Sequence, residues 1–120
     1  MRLITYFRTV LAAVALIGGT VMGTATPASA ATCPHRDSPK IDGGVASWSL
    51  TCRKVEGVEE VFVDGWVEDT RADGLCATVS IRPERKRYAD IVRACGSGTR
   101  EQIHESYRGR SATVKLSLSR

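Results

Sequence analysis

The sequence has few of the side chains from which most catalytic sites are built. Its 120 residues include only two histidines, no Cys-x-x-Cys motif and no Gly-x-Ser-x-Gly nucleophile elbow. His35 lies in a polar stretch and His104 in a strand-like run, and neither pattern is that of a general base. Ser97 in CGSGT is typical of a tight turn. We therefore predict that the protein is not an enzyme and carries no cofactor or metal.

Long apolar runs are also scarce, and the only one lies within the first thirty residues. Arg2 and Arg8 flank its start, VLAAVALIGGTVMG follows, and Ala28-Ser29-Ala30 is the small-x-small pattern that signal peptidase accepts. Glycines interrupt the run, which makes it weaker than a membrane span of about 20 apolar residues. We predict a secretion signal over residues 1–30, a mature protein that is secreted, extracellular or cell-wall associated, and no membrane span.

All four cysteines lie in the mature part, residues 31–120. A small secreted domain with an even number of cysteines usually oxidises them, because a core of this size is a marginal source of stability. Cys33 and Cys52 are 19 residues apart, and so are Cys76 and Cys95. Three pairings can be drawn, and we favour these two local ones, since each ties the start of one strand to the end of a nearby one. Each bond should add about 3 kcal/mol through the unfolded state.

Alternation of apolar and polar residues predicts strands from residue 45 onward. The runs VASWSLTC, VEEVFVDGWVEDT, LCATVSIR and SATVKLSLSR are clear, TREQIHESY is weaker, and YADIVRAC suits a strand or a single helical turn. Gly65 interrupts its run as a candidate bulge. We predict an all-β fold, a small antiparallel β-sandwich of six or seven strands stapled by disulfides, in one domain over residues 45–120. Residues 31–44, rich in proline and glycine, should form an irregular N-terminal arm.

The stretch EDTRADGLC, residues 68–76, joins two of these runs. Asp73-Gly74 between strand-like segments is a strong hairpin signal, because glycine tolerates positive φ and aspartate bonds the turn backbone. A calcium loop is the alternative, because several oxygen ligands lie close in sequence. These ligands are Asp64, Glu68, Asp69, Thr70 and Asp73. In a strand, Asp64 and Glu68 point to one side and Asp69 to the other, so we favour the hairpin turn.

Three segments together resemble a known group of proteins. They are GWVEDTRADGLCATVSI at 65–81, RACGSGT at 93–99 and ATVKLSL at 112–118. Over about residues 61–119 the chain resembles small secreted actinobacterial proteins of unknown function that carry a V-x-D-T-x-A-D-G-x-C-A hairpin motif. The resemblance implies a β-sandwich with a disulfide between Cys76 and Cys95. It implies no established activity, so it assigns no functional residues.

Charge is unevenly distributed along the mature chain. Residues 31–81 hold 5 basic and 9 acidic side chains, whereas residues 82–120 hold 10 basic and 4 acidic ones. A basic surface in the second half would attract anionic polymers such as cell-wall phosphates, and the alternative is that opposite charges interleave on neighbouring strands. The candidate anion-binding residues are Arg82, Arg85, Lys86, Arg87, Arg93, Arg108 and Arg110. Secretion and the lack of a binding motif argue against nucleic acid as the partner.

Aromatic residues are few, seven in all, but flat rings can stack on sugars. The candidate carbohydrate-stacking residues are Trp48, Trp66, Tyr88 and Tyr107, with burial in the core as the alternative for the tryptophans. The sequence therefore favours a secreted, non-enzymatic module that binds cell-wall or extracellular polysaccharide, or an extracellular protein. A protease inhibitor that presents the Arg82–Arg87 loop to a trypsin-like pocket is the second hypothesis. The last strand has few charges, and we expect it to pair edge to edge with a second copy.

Overall fold

The computed structural model describes residues 30–120 and shows an all-β protein made of two antiparallel sheets packed face to face. The nine strands are β1 (Ala30–Thr32), β2 (His35–Asp37), β3 (Lys40–Ile41), β4 (Gly44–Val55), β5 (Val58–Asp69), β6 (Cys76–Pro83), β7 (Asp90–Cys95), β8 (Arg100–Arg108) and β9 (Ser111–Ser119). The four-stranded sheet has the order β1-β9-β6-β7. The five-stranded sheet has the order β2-β4-β5-β8, and β3 also pairs with β4. The predicted fold class is confirmed, while residues 1–29 of the predicted signal lie outside the described residues.

The core lies between the sheets and follows the alternation seen in the sequence. Leu50 and Val63 face inward from the five-stranded sheet, and Val79 and Leu116 from the four-stranded sheet, all with no measurable exposure. Trp48 also faces inward, at 3% exposure. Burying each such side chain contributes about 1.5–3 kcal/mol. The alternation of apolar and polar residues, with a period of two, therefore separates the core face of each long strand from its solvent face.

Both favoured disulfides are confirmed. Cys33 bonds Cys52, which attaches the N-terminal arm to β4, and Cys76 bonds Cys95, directly opposite in the β6–β7 ladder. The arm itself is more regular than predicted, because residues 30–41 form β1, β2 and β3, which pair with β9 or β4. Strands of two or three residues are too short to show a period, and the prolines between them hide the pattern.

A two-residue turn joins β4 to β5. Glu56 and Gly57 both have positive φ, 52° and 79°, the geometry that matches the twist of an antiparallel hairpin. Each strand has 12 residues, and residues 53–60 form a two-stranded ribbon at the end of this hairpin. The neighbouring β8 and the residue that follows it reach the ribbon only at Glu60 and Glu59. At its tip, Val55 and Val58 are 37% and 40% exposed.

The EDTRADGLC stretch is not a hairpin turn, and that prediction was wrong. β5 belongs to the five-stranded sheet and β6 to the four-stranded sheet, so residues 70–75 carry the chain across the sandwich. The turn chemistry itself is present: Asp73 Oδ1 accepts a hydrogen bond from the Leu75 amide at 3.0 Å, and Gly74 has a φ of 74°. Local turn signals show that the chain bends, but they do not show which sheet it enters next.

Asp69 is the buried residue that holds this crossover in place. Its side chain is 1% exposed; Oδ1 accepts from the Arg71 amide at 3.1 Å and Oδ2 from the Gly96 amide at 2.8 Å. The backbone of Asp69 bonds the β7–β8 loop as well, which is the loop that contains Gly96. The Asp69 carbonyl accepts a hydrogen bond from the Gly98 amide at 2.7 Å, and the Asp69 amide donates one to the Thr99 carbonyl at 3.0 Å. One residue thus ties the β5–β6 crossover to the β7–β8 crossover.

Among the described strands, the last one is covered on one side along its length and on the other side only at its start. β9 lies between β1 and β6, but β1 pairs only with its first three residues, 111–113. The expected pairing of this strand with a second copy therefore stays a prediction, for residues 114–119. The edge at the far side is β7, which contains the ambiguous YADIVRAC run and is a strand rather than a helical turn. A strand's position in its sheet depends on long-range pairing, which its own sequence does not encode.

Gly65 is not a bulge but a point of close backbone approach. The β4–β5 register runs unbroken through the pair Trp48–Gly65. A Cβ atom on Gly65 would overlap the carbonyl oxygen of Ser47 and come within 2.7 Å of the Trp48 Cα. Glycine is therefore required here by space, in the middle of the longest ladder.

Replacing Asp69 by alanine should lower the free energy of unfolding by about 2–4 kcal/mol, because two amides of the joined crossovers lose a charged acceptor. Asp73→Ala is the matched control: its carboxylate serves one exposed amide, so its loss should cost about 1 kcal/mol. Urea denaturation followed by near-UV circular dichroism measures both. Equal losses in the two variants would contradict the role assigned to Asp69.

Gly65→Ala should destabilise the protein by about 3 kcal/mol, since the added methyl overlaps backbone atoms that can move only with the sheet. Gly74→Ala serves as the comparison. Gly74 has positive φ but nothing within 4 Å of its Cβ position, so only the backbone conformation is penalised, by about 1–2 kcal/mol. Thermal unfolding of the two variants measures both stability losses. An unchanged melting temperature for Gly65→Ala would rule out the close approach.

Candidate functional site

The outer face of the four-stranded sheet carries a set of basic side chains. Arg82, Arg93 and Lys115 occupy outward positions, because their respective strand neighbours Ile81, Ala94 and Leu116 point into the core. The register places Arg82 opposite Thr113, Arg93 opposite Thr78, and Lys115 opposite Ser80. Cations and hydroxyl groups therefore share this face. The sequence prediction included Arg82 and Arg93 but missed Lys115, which only strand pairing brings beside them.

The β6–β7 loop, residues 84–89, adds three more cations at one end of this face. Its turn is closed by a hydrogen bond from the Lys86 amide to the Pro83 carbonyl at 3.2 Å. A groove of about 410 Å³ runs between this loop and the neighbouring strands. Its lining residues are Ala30, Arg82, Pro83, Glu84, Lys86, Arg87, Ser111, Ala112 and Thr113. We call the six cations of the outer face and the loop the basic face: Arg82, Arg85, Lys86, Arg87, Arg93 and Lys115.

Almost none of these charges is neutralised by a neighbour. Of the six, only Lys86 has an acidic partner among the described residues, Asp90 Oδ2 at 4.0 Å. Glu84 is the only acid in the groove, and its Oε1 already accepts from the Arg110 amide at 2.6 Å. In contrast, Arg100 pairs with Glu68 at 3.0 Å on the five-stranded sheet. Opposite charges interleave on the five-stranded sheet and do not interleave on the basic face.

Two of the seven predicted anion-binding residues lie elsewhere. Arg110 follows β8, and its Nη1 is 3.2 Å from Glu59 Oε1, so its charge is partnered there. Arg108 ends β8 in the five-stranded sheet, opposite Glu60. It lines a second groove of about 430 Å³ on the other side of the loop, together with Arg85 and Lys86. The other five predicted residues belong to the basic face.

The aromatic candidates divide between core and surface. Trp48 and Tyr107 are 3% and 8% exposed, so the prediction that they stack on sugars was wrong, and both belong to the core. Tyr88 is 83% exposed in the β6–β7 loop. Trp66 is half-buried on the outer face of the five-stranded sheet, where the Arg100 guanidinium lies 3.7 Å from its ring centroid. With only a few aromatics, a domain of this size needs most of them for its core.

Tyr107 connects β8 to the start of β7 beneath the basic loop. Its hydroxyl donates to Asp90 Oδ2 at 2.7 Å, and the Lys86 Nζ lies 5.4 Å from its ring centroid. Burial, and then the hydrogen bond to Asp90, raise the pKa of the Tyr107 hydroxyl well above its ordinary value of 10.0. This contact fixes the base of the loop that presents Arg85, Lys86 and Arg87.

The acids of the candidate calcium loop lie apart. Asp69 is buried and bonded to backbone amides, Asp73 closes an exposed turn, and Asp64 lies on the outer face of the five-stranded sheet. Within residues 30–120, no three His, Cys, Asp or Glu side chains come together in a metal-binding cluster. The carboxylate oxygens of Asp73 and Asp69 therefore accept hydrogen bonds from backbone amides of a turn and of the crossovers.

No protein-family model, curated protein or solved structure matches the chain. The resemblance to small secreted proteins with the hairpin motif stays a prediction. Within the part of the chain that the structure describes, no helix is long and apolar enough to cross a membrane. The geometry of the basic face is thus the main evidence on function.

Tyr107→Phe should cost about 1 kcal/mol of stability at pH 8, through loss of the bond to Asp90. The hydroxyl of an unfolded tyrosine ionises near pH 10, whereas the hydroxyl of folded Tyr107 keeps its proton there. The contribution of the Tyr107–Asp90 hydrogen bond to the free energy of unfolding is therefore complete below pH 10 and is lost as the pH rises further. The stability gap between wild type and variant should therefore narrow from pH 10 upward. Urea unfolding at pH 8 and pH 11 measures it, and a gap that widens would contradict the raised pKa.

Proposed function

We propose that the protein is a secreted, non-enzymatic module that binds an anionic extracellular polymer through the basic face. The observation that carries the proposal is the presence of six neighbouring cations of which only Lys86 has an acidic partner among the described residues. Unpaired cations raise the local potential and attract anions more strongly than charges already neutralised by a neighbour.

Secretion is supported by the disulfides and by the start of the sequence. Two disulfides in a small domain are typical of oxidising compartments outside the cytosol. The small-x-small pattern ending at Ala30 fits removal of residues 1–30 as a signal. An extracellular location brings phosphate- and carboxylate-bearing wall polymers within reach of the basic face.

A polymer suits this face better than a small anion. The cations are spread over β6, β7, β9 and a loop, and Arg93 lies opposite Thr78, four residues along β6 from Arg82, a separation of about 13 Å. One phosphate can therefore contact only part of the set, whereas successive anionic groups along a chain can contact all of it. The hydroxyls of Thr113 and Ser80, which share the face, can bond to polymer oxygens between the charges.

The protease-inhibitor hypothesis receives less support. Protease clefts bind an extended segment by strand-like pairing, whereas residues 83–86 form a tight hydrogen-bonded turn. Lys86 is also directed toward Asp90 and Tyr107. Only Arg85, Arg87 and Tyr88 are left to project from the loop.

Retention on phosphocellulose, compared with unmodified cellulose, tests the proposal. The oxidised protein should bind phosphocellulose at low salt and elute between about 0.1 and 1 M salt, where the screening length falls from about 10 to 3 Å. An Arg82→Glu/Lys115→Glu double variant should bind at least tenfold more weakly, a change of about 1.4 kcal/mol.

The control is Arg53→Glu/Lys54→Glu, which makes the same change in net charge at the ribbon, in the other sheet. This variant should lose no more than about threefold. An equal loss in both double variants would mean that net charge alone drives retention, and it would overturn the assignment of the site. Binding that does not change with salt would also overturn it.

A further inference from the structure

The groove of the basic face reaches the first described strand of the chain. Ala30 lines this groove together with the first residues of β9. The register places Ala30 opposite Thr113 and Thr113 opposite Arg82, so the three residues form one row across three neighbouring strands. The row lies on the outer face, because the next residues along β1 and β9, Ala31 and Ala112, pack toward the core. With strands about 4.8 Å apart, the Ala30 backbone lies about 10 Å from that of Arg82.

The backbone nitrogen of Ala31 faces β9 beside this groove. In an antiparallel ladder, hydrogen-bonded pairs alternate with pairs that are not hydrogen-bonded. The Cys33 amide donates to the Arg110 carbonyl at 3.0 Å, so these two residues form a hydrogen-bonded pair. Two residues earlier, the Ala31 nitrogen is therefore directed at the carbonyl of Ala112, its partner in the register. Since Ala30 and Ala112 both line the groove, the peptide bond between Ala30 and Ala31 lies at the edge of the groove.

This peptide bond is also the predicted cleavage point of the secretion signal, after the small-x-small pattern that ends at Ala30. Its hydrolysis consumes one water, leaves the new carboxylate on Ala30 and leaves the new amine on Ala31. An α-amino group is protonated below about pH 8. Cleavage therefore removes a neutral residue from the edge of the groove and leaves a cation in its place.

We propose that removal of residues 1–30 makes the α-ammonium group of Ala31 a seventh anion-binding cation of the basic face. This inference rests on the function proposed above and adds one group that holds the anionic polymer. Glu84 is the one acid that lines the groove, and its Oε1 already accepts a hydrogen bond from the Arg110 amide at 2.6 Å. The other charged side chains that line the groove are Arg82, Lys86 and Arg87.

The N-terminal arm holds the new chain end in place. Cys33, two residues after Ala31, is bonded to Cys52 by a disulfide and to the Arg110 carbonyl by its amide. Ala31 itself is partly buried against the core. Chain ends are poorly ordered unless they are tied down, and this end is tied down within two residues. The α-amine therefore stays beside the groove.

His35 and Asp37 are the titratable groups on the other side of β1. They line a separate depression of about 310 Å³ together with β1 itself. The Ala31 nitrogen is directed away from them, because the Ala112 carbonyl lies on the β9 side of the strand. A chain end that turned to Asp37 instead would be neutralised there and would add nothing to the basic face, and the experiment below detects this outcome.

The test compares two synthetic, oxidised chains of residues 31–120, one with a free α-amine and one with the α-amine acetylated, which removes its charge. At pH 6, the free form should bind phosphocellulose about threefold more tightly, since it has one more cation at the groove. At pH 9.5 the α-amine is neutral while arginine and most lysine side chains stay charged, so the two affinities should agree to within about 1.5-fold. Groups common to both chains, His35 included, cancel from the ratio.

Lys54→Gln in the free-amine chain is the matched control, because it also removes one positive charge, at the ribbon in the other sheet. It should weaken binding by no more than about 1.5-fold, since a charge more than a screening length from the polymer contributes little. Thermal unfolding should give the same midpoint for the free and the acetylated chain at pH 6, which shows that acetylation acts on binding and not on the fold.

The outcomes separate this inference from the function on which it rests. Salt-sensitive retention with equal affinity of the free and acetylated chains at pH 6 would overturn the role of the Ala31 amine and leave the proposed function standing. Retention of neither chain at low salt would overturn both. A ratio of affinities that is the same at pH 6 and pH 9.5, or an equal loss in Lys54→Gln, would also overturn the inference, because the charge at this position would then not be the cause.

Discussion

The sandwich depends on one buried carboxylate. After β5, three connections, β5–β6, β7–β8 and β8–β9, each pass from one sheet to the other. Asp69 accepts hydrogen bonds from the first two of these connections and also pairs its backbone with the second. Because β6 and β7 stand between those two crossovers along the chain, fixing both crossovers fixes how this hairpin lies over the other sheet. The hairpin presents five of the six cations of the basic face, all but Lys115, so the position of the candidate site follows largely from a residue that never touches it.

Much of the fold is predictable from the sequence because its causes are local. Alternation gives the core face of each strand: Leu50 and Leu116 are inward as the pattern predicts, and Trp48 is inward with them. The spacing of the cysteines gives the correct pairs, since each pair closes a short loop between neighbouring elements. The exposed turn at Asp73 and Gly74 also has the expected chemistry. These features require no knowledge of which strands become neighbours.

The errors share a physical origin in long-range pairing. A hairpin and a crossover between sheets use the same turn residues, so the stretch after Asp69 gave no sign that β6 lies in the other sheet. The place of β9 between β1 and β6 is likewise a matter of long-range pairing, which its own sequence does not encode. Charge shows the effect most clearly: Lys115 and Arg93 are 22 positions apart in the chain, and only the ladders on either side of β6 place them on one surface. The candidate site could therefore be predicted as a charge bias along the chain but not as a surface.

The ribbon at residues 53–60 has a further consequence. Neighbouring strands reach only its base, at Glu59 and Glu60, and its tip has the exposed side chains Val55 and Val58. Few contacts elsewhere in the sandwich depend on the length or sequence of its turn. The tip is thus the natural position for a peptide tag, a fluorescent label or an inserted domain. The protein can be immobilised by this handle with the outer faces of both sheets left accessible.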